Sequence, residues 1–100
     1  MLRKIKIIEN MINWLLNSNQ DVQESILKYE IGFNNFQMQD FLSGKMLLTK
    51  EIKESLYKGT LHYASEVCVK ESEIYAFLKN NFEMTKEEIE KEINMEKFKL

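Results

Sequence analysis

The chain has no proline, and its 100 residues include only three glycines, one cysteine and one tryptophan. Without proline no helix is interrupted by a missing backbone donor, so breaks must come from glycines and capping side chains. A single thiol, Cys68, cannot close an internal disulfide, which fits a reducing compartment. No apolar run approaches the roughly 20 residues that span a bilayer, so no membrane association is expected. The opening Met1-Leu2-Arg3-Lys4 is followed by Lys6, Glu9, Asn10 and Asn13, which interrupt what a signal peptide keeps apolar. A cytoplasmic chain is the expectation. Glycine-rich phosphate loops, nucleophile elbows and zinc-ligand spacings are absent as well, so neither an enzyme nor a cofactor is expected.

With 44% hydrophobic and 30% charged residues, the chain can bury one core and still wet its surface. Its length fits a single domain over residues 1–100. The net charge of −2 argues against a generic polyanion binder. That charge is uneven: residues 1–60 hold eight basic and seven acidic side chains, whereas residues 61–100 hold six and nine. A polyanion would meet the first half.

Apolar periodicity and caps predict an all-α fold of five to six helices. Ile5, Ile8, Ile12 and Leu15, flanked by Ile7, Met11 and Trp14, give one broad apolar face over residues 4–17. Asp21 and Glu24 have capping-box spacing and open a helix over 21–30 with Val22, Ile26 and Tyr29 inward. Gly32 ends it in the left-handed conformation. Asn34 or Asn35 caps a third helix over 35–43, with Met38, Phe41 and Leu42 inward and Gly44 as its stop. Thr49 caps a fourth that reaches at least Lys58. Residues 60–69 also alternate as a strand would, but helix is preferred, because a lone strand would leave its backbone unpaired. Ile74, Phe77, Leu78 and Phe82 continue a helical stripe, and Thr85 with Glu88 forms a capping box ahead of a short acidic helix. The core motif is expected over about 4–66, with a helical extension over about 67–96.

Two short helices joined at Gly32, the second ending at Gly44, are what a helix-turn-helix requires over about 21–43. With Trp14-Leu15-Leu16 before them and Phe41-Leu42-Ser43-Gly44-Lys45 followed by Leu48-Thr49, the stretch over about 12–64 resembles the Cro/repressor-type (Xre-like) helix-turn-helix proteins of phages and mobile elements. The resemblance implies that helix 35–43 enters the DNA major groove. Asn34, Asn35, Gln37 and Gln39 would then face the bases, where amide side chains can pair bidentately with adenine. Lys45 and Lys50 would contact phosphates, as would the free N–H groups at the start of helix 21–30. The same amide run is equally well a solvated helix face. Lys28 stands where the family packs a small alanine between the helices, Asp40 lies near the DNA face, and Arg3 is the only arginine. Phe36 is read as packing against Phe33.

His62 and Cys68 are six apart, outside the spacing that brings two ligands onto one helical turn, so no metal site is expected. The acid pairs Glu71 with Glu73 and Glu87 with Glu88 read as solvated faces. The apolar residues of the last third, including Tyr75, Phe77, Met84 and Phe98, exceed what a minimal motif needs. They either cap the same core or form a two-fold contact, and a homodimer on palindromic DNA is the expectation. The function expected is that of a DNA-binding transcriptional regulator, a repressor-type protein occupying a double-stranded operator. The alternative is a small inhibitor or adaptor that binds a host protein, for example a phage anti-defence factor such as an anti-CRISPR.

Overall fold

The computed structural model describes residues 2–98. Its elements are α1 (Leu2–Leu16), α2 (Gln20–Glu24), which continues directly as a π-helical turn (Ser25–Glu30), α3 (Asn35–Leu42), α4 (Lys50–Val67), α5 (Glu71–Phe82) and α6 (Lys86–Glu92), with a closing 3-10 turn (Met95–Phe98). Helix accounts for 77% of the chain, and no strand occurs among the described residues. No helix among them is long and apolar enough to cross a membrane.

Two apolar clusters share α1 and α4 as common walls. One gathers Ile7, Ile8 and Met11 of α1 and Tyr57, Leu61 and Ala64 of α4 with Ile74, Leu78, Phe82, Met84, Ile89, Ile93 and Phe98. The other gathers Leu15, Ile26, Leu27, Phe33, Phe41 and Leu56. Ile12 and Trp14 are partly buried against both. Trp14 meets Phe77 and Phe82 edge-on, at ring centroid separations of 5.5 and 5.3 Å. Such edge-to-face pairs add about 0.5–1.5 kcal/mol beyond the area they bury. The apolar surplus of the last third is thus spent within the chain. Ile5, expected on the buried stripe of α1, is exposed, because the face centres on Ile7, Ile8, Met11 and Leu15.

The start and the middle of the second helix depart from expectation. Asn19, not Asp21, is the cap: its side-chain oxygen accepts from Val22 N at 2.9 Å, and no Asp21–Glu24 box forms. Farther on, Ile31 N donates to Ile26 O at 2.9 Å, a bond from five residues back that widens the turn. The wider turn changes which side chains face inward. Ile26 and Leu27 are fully buried, whereas Tyr29, expected inward, is 72% exposed. Lys28 is exposed to solvent. Gly32 and Gly44 adopt φ of +91° and +79°, the left-handed stops their positions predict. Residues 60–67 continue α4 as helix, and Cys68 ends it in extended conformation.

At Gly59, α4 packs directly against the end of the π-helical turn. A Cβ there would lie 3.0 Å from Ile31 Cγ1 and 3.4 Å from Glu30 Cβ. Alanine in place of a helix glycine normally gains about 1 kcal/mol. Here overlap with a branched side chain opposes that gain, and Gly59→Ala is expected to be less stable than the wild type by about 1 kcal/mol in urea unfolding. A more stable variant would mean that α4 and the turn can separate freely.

Polar side chains of α1 clamp the corner between α5 and α6. Glu83, the non-glycine residue held at φ 59°, has its carbonyl bonded by Arg3 Nη2 at 2.7 Å, and Asn10 Nδ2 donates to Phe82 O at 3.1 Å. Arg3 also pairs with Glu88 at 2.9 Å, and Glu88 closes the expected capping box with Thr85. The Arg3 hydrogen bond and then the Thr85 backbone N–H hold the Glu88 carboxyl down at about 2. A depressed carboxyl stabilises the fold above its ordinary value and loses that contribution as pH falls through the folded value. The stability gap between the wild type and Arg3→Gln, measured by denaturant unfolding, should therefore be full at neutral pH and narrow as pH falls towards about 2. A constant gap would remove Glu88 from the acid response.

Candidate functional site

Helix α3 is pinned by one face and bare on the other. Phe41 is buried, Met38 and Leu42 are half-buried, and Asn34, Asn35, Phe36, Gln37, Gln39 and Asp40 are all exposed. Phe36, expected to pack on Phe33, is 80% exposed, because Phe33 turns into the core from the residue after Gly32 while Phe36 starts the outer face.

The four amides divide into two pairs. Asn34 Oδ1 accepts from Gln37 N and Gln37 Oε1 accepts from Asn34 N, both at 2.9 Å, a reciprocal capping box. Their oxygens serve the helix. Asn35 and Gln39 make no side-chain hydrogen bond among the described residues, and with Met38 and Leu42 they line a cleft of about 430 Å³ against Gln20, Gln23 and Glu24 of α2. Lys45 follows Gly44 and Lys50 opens α4, both exposed, so they bracket the segment after α3. At the start of α2, Val22 N is already taken by Asn19 Oδ1. An acidic side chain, Glu24, shares the cleft with the free amides.

The second polar constellation was not read from the sequence. His62, which lacked a visible partner there, has its Nδ1 2.6 Å from Glu30 Oε1 and 2.9 Å from Glu66 Oε1. Glu66 follows His62 by one helical turn, a pairing the spacing did hold. Glu30 arrives from 32 residues away, where the π-helical turn packs against α4 beside Gly59. The Glu30 hydrogen bond, with the charge of both carboxylates, raises the His62 pKa against the lowering effect of burial and of Lys97. Burial opposes charge on Glu30, but bonds from Glu66 and His62 outweigh it and hold its pKa below the usual value. The Glu66 pKa is raised, first by its bond to Glu30. Cys68 is half-buried and its thiol is pushed up by burial, the pattern of a small packing residue.

Separating capping from recognition needs one pair of variants. Asn34→Ala should cost about 1 kcal/mol of stability by deleting a helix cap. Asn35→Ala, with no such bond, should stay within about 0.5 kcal/mol of the wild type. Equal losses in thermal or urea unfolding would show that Asn35 also has a structural role. Comparison with protein families, curated proteins and solved structures gives no match to this chain.

Proposed function

We propose that the outer face of α3 recognises double-stranded DNA and that the protein is a sequence-specific regulator acting by operator occupancy, of the kind phages and mobile elements carry. The observation that carries this reading is a short helix anchored by Phe41 that presents two unengaged amides, Asn35 and Gln39, on an exposed face followed by Lys45 and Lys50. An amide offers a donor and an acceptor side by side, which is the pattern adenine presents in the major groove. Lysines supply phosphate contacts that set register without reading sequence. Two-fold pairing of the chain would set two such helices one helical turn apart on a palindromic site.

A second reading rests on three side chains. Tyr29, Phe36 and Leu47 are 72, 80 and 82% exposed, and large apolar groups in water are what a protein interface covers. With a net charge of −2, a chain that exposes such groups would suit a small inhibitor or adaptor bound to a host protein.

Selection of bound duplexes from a random pool, followed by gel-shift titration, separates the two. The first reading expects an enriched sequence whose affinity falls steeply with salt. Asn35→Ala and Gln39→Ala should each reduce discrimination at one base position by about 1–3 kcal/mol, while Lys45→Ala weakens all duplexes alike. No enrichment at low salt, together with stoichiometric recovery of a host protein that Phe36→Ser abolishes, would replace the first reading with the second.

A further inference from the structure

Glu30, His62 and Glu66 form a cluster whose ligand atoms all lie within 4.8 Å of one another. Both carboxylates close on the same ring nitrogen, Nδ1, at 2.6 and 2.9 Å. One N–H proton cannot be donated fully to two acceptors, so the second carboxyl depends on its bond to the first and on water, partners that an ion can replace. We infer that the Glu30–His62–Glu66 cluster is a binding site for a divalent first-row transition ion, with zinc as its natural probe. The inference is independent of any nucleic-acid role for α3.

The donor set suits such an ion. One imidazole nitrogen and two carboxylate oxygens are ligands that zinc accepts at about 2.0–2.2 Å, which puts neighbouring ligand atoms roughly 3–3.5 Å apart. The observed separations need to open by less than about 1 Å, and Glu66, with a half-exposed side chain, is free to rotate. Glu30 is the fixed member: its side chain is 17% exposed and held at the end of the π-helical turn, where Gly59 lets α4 approach. Three protein ligands leave further positions for water. A cleft of about 280 Å³ lined by Glu30, Ile31, Ser55, Lys58, Gly59 and His62 opens beside them.

The opposing charge is equally specific. Lys97, whose Nζ is hydrogen-bonded to Ser65 Oγ at 3.2 Å, lies close enough to act on both His62 and Glu66. Its charge opposes that of Glu66 and would repel a divalent ion. Removing it should therefore strengthen binding, an outcome that mere damage to the fold cannot mimic.

The test is zinc titration of the full chain by calorimetry in a non-chelating buffer, with cobalt as a spectroscopic substitute. One saturable site per chain is expected, with a zinc-dependent rise in thermal stability by mass action. His62 is the single histidine, so its ring resonances report ligation without ambiguity. His62→Gln and Glu30→Gln should each weaken binding by at least about tenfold, and Lys97→Gln should tighten it several-fold. Cys68→Ser should leave it unchanged. Absence of saturable binding, binding that survives His62→Gln, or binding that depends on Cys68 would each overturn the site.

Discussion

The close approach of α4 to the π-helical turn at Gly59 is the constraint on which the rest of the arrangement depends. Because no side chain stands at Gly59, Ile31 can lie against the helix backbone and Glu30 is drawn to the side of α4 that carries His62 and Glu66. Two residues later Gly32 turns the chain, Phe33 drops into the core, and α3 begins. The position of the exposed helix and the convergence of the histidine cluster are therefore two consequences of one packing contact.

The π-helical turn is the other half of that contact. A regular helix through residues 25–30 would keep the stripe of Val22, Ile26 and Tyr29 on one face. The wider turn buries Ile26 with Leu27 and releases Tyr29. Ile26 is inward either way, so the exchange is Leu27 for Tyr29: a wholly apolar side chain is buried in place of one whose hydroxyl would need a partner, which offsets the poorer local hydrogen bonding. Lys28 lies on the exposed side of the same turn.

At the opposite end, α1 acts as a strut with two different edges. Its apolar face joins both clusters through Ile12 and Trp14, and its polar edge, through Arg3 and Asn10, ties down the α5–α6 corner. Glu83 occupies a left-handed conformation there that a side chain normally resists, and bonds to its carbonyl and carboxylate hold it. The C-terminal third is thereby part of the same core as the N-terminal helix, and its aromatic content needs no second copy of the chain to be buried.

How much of this was legible divides by range. Caps at Asn34, Thr49 and Thr85, the stops at Gly32 and Gly44, the inward face of α3 and most of that of α1 follow from residues within a turn of one another, so local sequence was enough to specify an all-helical chain and most of its helix ends. The exposed amides of α3 were equally readable, though which two of them serve the cap emerged only with side-chain geometry. The tertiary structure alone decided the π-helical turn, the exposure of Tyr29 and Phe36, and the meeting of Glu30 with His62. The π-helical turn and the Glu30–His62 meeting involve residues about 30 apart, whose contacts compete with local preference and leave no periodic trace in the chain.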